Sequence, residues 1–232
     1  FRFKKFSVEQ VGAAHPVDTD GVLLGAWADL EGCCNILDIG TGTGVIALML
    51  AQRNPLAKIT AVEIHPPSAA LARRNFAASL WAEQLELVGS SVQDFAQNAD
   101  RQFDMIVSNP PFFSETTVSP DTTRRLGRHT ASLSPGELLA VSKKLLTENG
   151  RLCVILPVPE GRHLCELAVP NGLYCTEEVE VFSRPEKPVE RLLLRFERNP
   201  YRFVRKRIYI FDGAVGQGYS AEFRALTEGF YL

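Results

Sequence analysis

The chain has 232 residues, of which 45% are hydrophobic and 22% charged, and its net charge is −2. This is the balance of a globular domain with a packed core, and it excludes disordered, collagen-like and coiled-coil chains. The longest strongly apolar stretch, 45–51, stops at Gln52 and Arg53, far short of the roughly 18 residues a membrane span needs, so no membrane association is expected. Phe1-Arg2-Phe3-Lys4-Lys5-Phe6 contains neither an apolar run nor a small-residue cleavage site, which predicts a cytoplasmic protein without a signal peptide. Five cysteines, an odd number without C-x-x-C spacing, read as reduced and mostly buried, and four scattered histidines predict no metal site.

In chain order, Asp20, Gly21 and Leu24 read locally as a helix start and its apolar face. Residues 35–39 form a short apolar strand, glycines 40, 42 and 44 a turn, and 45–53 a helix stopped at Asn54-Pro55. A second strand is expected at 58–63, then a helix from Pro66-Pro67-Ser68 to about residue 79, with prolines where a missing amide donor costs least. Strands follow at 84–88 and 103–108, an irregular stretch at 109–132, a helix at 135–146 and a strand at 151–156. Such alternation predicts an α/β fold with a mainly parallel sheet covered on both faces. Residues 174–183 and 190–197 read as an antiparallel pair, 207–211 as a further short strand, and 220–230 as a closing helix capped by Ser220, with Phe223, Leu226 and Phe230 on one side.

Asp38-Ile39-Gly40-Thr41-Gly42-Thr43-Gly44 joins a strand to a helix, where missing Cβ atoms let a ligand approach main-chain amides. Its third glycine falls one place early for the dinucleotide fingerprint, and no Gly-Lys-Ser/Thr ending prepares a triphosphate site. Glu63, at the end of the second strand, is placed to accept ribose hydroxyls. Asp94, after the third strand, is placed to accept from an adenine amino group, with Phe95 beside it. The D-x-G-x-G-x-G form resembles the glycine loop of class I S-adenosylmethionine-dependent methyltransferases, and that resemblance implies a Rossmann-like seven-stranded sheet with an antiparallel C-terminal hairpin.

After the fourth strand comes Asn109-Pro110-Pro111-Phe112-Phe113. The prolines stiffen the chain and leave the Asn109 side-chain oxygen and the Pro110 carbonyl as fixed acceptors at the sheet edge where ligands bind. Two acceptors holding the two hydrogens of an exocyclic amine favour its pyramidal, nucleophilic form, while Phe112 offers a face for stacking a base. The run resembles the N-P-P-F/Y motif of amino methyltransferases acting on adenine, on the guanine amino group or on glutamine amides. Amide-methylating relatives carry a sizeable helical domain before the cofactor domain, and the guanine enzymes often have His where Phe113 stands, which favours adenine.

Nearly the whole chain is similar to the bacterial tRNA1(Val) adenine-37 N(6)-methyltransferase family. The resemblance runs through residues 19–28, 48–53 and 106–111, Tyr219-Ser220-Ala221-Glu222 and Phe230-Tyr231-Leu232. It implies one methyltransferase domain over 1–232, with 1–30 enclosing the cofactor, 31–197 as catalytic core and 198–232 as a C-terminal extension. It further implies that Asp20, Gly21 and Leu24 enclose the methionine end of S-adenosyl-L-methionine, with Asp38, Gly40, Thr41, Gly42, Gly44, Glu63, Asp94 and Asn109 completing its site. Family members commonly have Tyr at Phe112. The resemblance also implies tRNA as the partner, with no obligate protein partner evident. Phe112 and Phe113 would contact the base, and Arg124, Arg125, Arg128, Arg205, Lys206 and Arg207 the phosphates, joined by a basic group at Arg2, Lys4 and Lys5. A non-catalytic RNA-binding module and a nicotinamide dehydrogenase are the competing readings.

Overall fold

A computed structural model of the chain describes residues 1–111, 133–213 and 218–231. Helix α1 (Thr19–Trp27) precedes five parallel strands, β1 (Asn35–Ile39), β2 (Lys58–Val62), β3 (Leu85–Val88), β4 (Phe103–Ser108) and β5 (Leu146–Pro157). Between them run α2 (Val45–Arg53), α3 (Pro66–Ala77), α4 (Val92–Asn98) and α5 (Pro135–Leu145). Helix α6 (Val158–Ala168) leads to β6 (Tyr174–Phe182), β7 (Val189–Glu197) and β8 (Val204–Tyr209), and α7 (Ala221–Thr227) follows. The sheet order is β3-β2-β1-β4-β5-β7-β6-β8, with β7 antiparallel to both its neighbours.

The seven-stranded plan is therefore present, with an eighth strand added at its edge. The expected strand at 207–211 begins earlier, at Val204, because Val204 to Tyr209 pair in register with Glu177 to Phe182. Strand β5 likewise begins at Leu146 rather than 151, its register shifting between the Phe103 and Met105 partners. Helices α4 and α6 have no counterpart in the sequence reading. The first spans seven residues, and the second opens on Pro157-Val158-Pro159, which locally resembles a break.

Period-two side-chain alternation divides the core. Ile36, Met105, Val107, Cys153 and Ile155 face one layer with Leu24 of α1, Leu48 of α2 and Phe76 of α3. Leu37, Ile39, Ile106, Leu152 and Val154 face the other, with Val92, Leu138 and Leu164. Burial on both faces explains why these strands read as unbroken apolar runs.

The ends of the described chain meet on the first layer. The Lys4 amide donates to the Phe230 carbonyl at 2.8 Å. The Phe3 ring stacks on Phe6 and Tyr231, with centroids 4.5 and 6.2 Å apart. Ser220 caps α7 as expected, its hydroxyl accepting from the Phe223 amide at 3.0 Å, and it also donates to the Tyr209 carbonyl at 2.5 Å. Ser220 is fully buried, so Ser220→Ala leaves both groups unpaired and is expected to cost about 1–2 kcal/mol in urea denaturation. Unchanged stability would contradict this double role.

Candidate active site

The strand order reverses direction between β1 and β4, and a cavity of about 350 Å³ opens there at the carboxyl ends of the strands. The Ser108 hydroxyl donates to the Ile39 carbonyl at 2.9 Å and clamps the two strand ends together. Gly40, Thr41 and Gly42 of the loop after β1 line the cavity with Glu63, Ser90, Ser91 and Gln93, and Ser108 to Pro111 complete the β4 side. Asn109 and Pro110 are half-buried here, at the glycine-lined wall and not in the core.

Gly40 and Gly42 have φ of +71° and +57°, and a Cβ added at either meets nothing within 4 Å. The loop backbone is therefore open to approach on that side. The Glu63 carboxylate is fixed beside it: Oε2 accepts from the Gly42 amide at 2.9 Å and Oε1 from the His65 amide at 2.8 Å. Asp38 lies beneath the loop, fully buried, with Oδ2 accepting from the Thr41 hydroxyl at 2.6 Å. Burial pushes its carboxyl up to about 7, against the opposing effect of that hydroxyl.

Several sequence-assigned residues stand elsewhere. Gly44, at φ +84°, serves packing, since its Cβ would fall 2.5 Å from the Phe76 ring. Leu24 is fully buried in the core, and Asp20 turns to Arg191, with Oδ2 2.7 Å from Nε. Of the α1 residues, Gly21 lines the cavity, beside the N-cap Asp18, whose Oδ1 accepts from the Gly21 amide at 2.8 Å. Asp94 is exposed and locked to its own helix cap, accepting from the Ser91 hydroxyl at 2.6 Å while its amide donates back at 3.0 Å. Phe95 packs toward Phe103 in the core layer.

The basic edge is also committed elsewhere. Arg205 pairs with Glu178 at 2.8 Å, Lys206 with Glu177 at 2.7 Å and Arg207 with Glu180 at 3.0 Å. Glu177 and Glu178 are almost fully buried, so these cations offset carboxylates that water does not reach. Arg198 donates to the carbonyls of Lys143, Leu146 and Thr147 at the end of α5. Phe112, Phe113, Arg124, Arg125 and Arg128 lie outside the described residues.

The sequence reading missed Ala14, His15, Pro16 and Asp18, which wall the cavity before α1, and His65 and Ser68 at the start of α3, whose side chains meet at 2.9 Å. Their signal was position: each group sits at or just before a helix N-terminus that faces the carboxyl edge.

A family model described as the methyltransferase small domain matches residues 13–158. A Yersinia enterocolitica tRNA1(Val) (adenine(37)-N6)-methyltransferase is 42% identical over 234 residues, covering 100% of this chain and 92% of that one. A Trichodesmium erythraeum protein of the same name is 40% identical, with coverage of 100% and 97%. The chain belongs to the tRNA1(Val) (adenine(37)-N6)-methyltransferase family. Among solved structures, a protein from Agrobacterium tumefaciens described as a predicted O-methyltransferase superposes with a TM-score of 0.68 at 19% identity, covering 91% of this chain and 96% of that one. A TehB-like SAM-dependent methyltransferase from Corynebacterium glutamicum gives 0.52 at 20% identity, covering 82% and 92%. These two share the family's fold. Among the described residues no helix is long and apolar enough to cross a membrane.

The Asp38 carboxyl generates a pH signature. Its folded value of about 7 lies above its ordinary 3.8, so unfolding releases a proton between those limits and stability falls as pH rises through them, then levels off. Full ionisation costs on the order of 4 kcal/mol. Urea denaturation of Asp38→Asn is expected to show stability rising relative to the parent from pH 4 to pH 7, whatever the offset between them. A difference independent of pH would place the titration elsewhere.

Proposed function

We propose that the protein methylates the exocyclic amino nitrogen of adenine 37 in tRNA1(Val), working in the cytoplasm as one domain on a tRNA partner. One observation carries this reading: Asn109 and Pro110 border the same cavity as the open glycine cradle and the amide-held Glu63 carboxylate.

The strand ends set out the cofactor site. Ser90, Ser91 and Gln93 follow β3, Glu63 follows β2, Gly40 to Gly42 follow β1, and Asn109 follows β4. Three strand spacings, about 14 Å, separate the first from the last. This order suits the adenine end of an elongated nucleoside at β3, its ribose at Glu63 and its reacting end toward Asn109. S-adenosyl-L-methionine supplies an electrophilic methyl group on a sulfonium. Glu63 accepts the ribose hydroxyls, with both its oxygens already oriented by main-chain donors. The glycine amides and the Gly21 turn enclose the methionine portion.

Asn109 Oδ1 and the Pro110 carbonyl accept the two amino hydrogens of the adenine, localising the nitrogen lone pair toward the methyl group. With that donor bound, the nitrogen held by these two acceptors would take the methyl group as the S–C bond broke, and once methylated it would be acidic enough to lose its proton to water. Catalysis rests on positioning and preorganised acceptors, without a covalent enzyme intermediate. The adenine lies in a single-stranded loop and leaves its stack at modest cost. The sequence resemblance gives Phe112 and Phe113 to the base and Arg124, Arg125 and Arg128 to phosphates, residues that lie outside those the structure describes.

Asn109→Ala is expected to bind S-adenosyl-L-methionine within a few-fold of the parent and to lose about 100-fold or more in turnover on tRNA1(Val) transcript, by calorimetry and methyl incorporation. Normal turnover would remove Asn109 from the chemistry. Glu63→Ala is expected to weaken cofactor binding by about 10-fold or more, since each hydrogen bond to a charged acceptor is worth about 1.5–3 kcal/mol. Absence of cofactor binding in the parent would favour the non-catalytic RNA-binding reading.

A further inference from the structure

The chain carries five cysteines, and the methyl transfer described above uses none of them. Cys33 and Cys153 are buried, and Cys34 is exposed. Cys165 of α6 and Cys175 of β6 differ from these. Both are half-buried, packed against the second core layer without being closed off from water.

Two contacts fix how α6 lies along the start of β6. Near the turn between them, the Ala168 carbonyl accepts from the Leu173 amide at 3.0 Å. Further out, two guanidinium nitrogens of Arg162 donate to the Glu178 carboxylate, with Nη2 3.1 Å from Oε1. Cys165 falls between Arg162 and Ala168, three residues from each and therefore on their side of the helix. Cys175 falls between Leu173 and Glu178, where the register of β6 against β7 shifts. Closure at both ends brings the two cysteines face to face, and their thiols share a hydrogen bond. That bond holds the Cys165 thiol below the ordinary cysteine range, against the opposing effect of burial. It pushes the Cys175 thiol above that range, and burial adds to the rise. A thiolate is the form that a peroxide oxidises, and a second thiol beside it captures the product before further oxidation.

We infer that Cys165 and Cys175 form a redox-active pair that a hydroperoxide converts to a disulfide, stapling α6 to β6. The Cys165 thiolate attacks a peroxide oxygen. The O–O bond breaks, a sulfenic acid forms, and the departing hydroxide takes up the proton that Cys165 released. The Cys175 sulfur then forms the S–S bond as the S–O bond breaks, and its thiol proton leaves with that oxygen as a second water. Both sulfurs are oxidised and both peroxide oxygens reduced, and an added dithiol reverses the bond. Neither cysteine lines the cofactor cavity, so the pair is independent of methyl transfer.

The full chain, reduced and then freed of reductant, is treated with hydrogen peroxide, blocked with N-ethylmaleimide and cut with trypsin. Arg184 and Lys187 precede prolines, so both cysteines leave in one peptide, 163–191. Without peroxide, mass spectrometry should find two maleimide labels on that peptide. After peroxide it should carry none and be lighter by two hydrogens than its unlabelled reduced form, and dithiothreitol should restore both labels. Cys165→Ser should leave Cys175 labelled, while Cys175→Ser should leave Cys165 as a sulfenic acid that dimedone traps. Two labels retained at a peroxide dose that oxidises the exposed Cys34 overturn the inference. So does a bond from either cysteine to Cys33, Cys34 or Cys153, or loss of the Cys175 label in Cys165→Ser. Should a variant fail to fold, the parent peptide decides alone.

Discussion

The Glu63 carboxylate bridges two backbone amides, Gly42 from the loop after β1 and His65 from the start of α3, and this bridge fixes the geometry of the cofactor cavity. A carboxylate with little access to water is costly unless it is hydrogen-bonded, so the contact ties the tips of β1 and β2 into one arrangement. The Ser108 hydroxyl performs the same service between β4 and β1 by satisfying the Ile39 carbonyl. Three strand ends are thereby held in register by local polar contacts, and the open side of each points where a ligand must lie. Glycine is favoured at 40 and 42 because their φ of +71° and +57° lie in the left-handed region that residues with a Cβ rarely adopt.

At the other edge of the sheet the same electrostatic rule acts for stability. Strand β6 carries Glu177, Glu178 and Glu180, and β8 brings Lys206, Arg205 and Arg207 against them, with Arg195 and Arg162 as additional partners. Removing one member of such a set strands a buried charge. The density of positive charge on β8 therefore reflects what lies beneath it. Affinity for an anionic polymer must draw on cations whose charge is not already satisfied.

Much of this was readable from the chain because both faces of the central strands are buried, leaving short apolar runs separated by glycine and proline. The glycine loop and the Asn109-Pro110 acceptors could be placed because each follows such a run directly. What strand order alone does not reveal at Asp94 is a local partner; Ser91, three residues earlier, donates to one of its carboxylate oxygens at the helix cap. Asp20 and Leu24 were misassigned for a related reason. On a helix buried nearly all round, sequence spacing does not tell which side faces the cavity and which the core. The pairing of β8 with β6 brings together residues 27 to 29 positions apart, beyond the reach of any local pattern.

The contact of Lys4 and Phe3 with Phe230 and Tyr231 joins segments more than two hundred residues apart. Contacts of such sequence separation form late, because the intervening chain must be ordered first. During synthesis, residues 1–8 leave the ribosome long before their packing partners exist. The central strands can assemble meanwhile, but the segment leading into the Asp18 wall gains its anchor only when α7 and residues 230–231 have emerged. Ligand-binding competence should accordingly follow the emergence of α7, after the central strands are already in place.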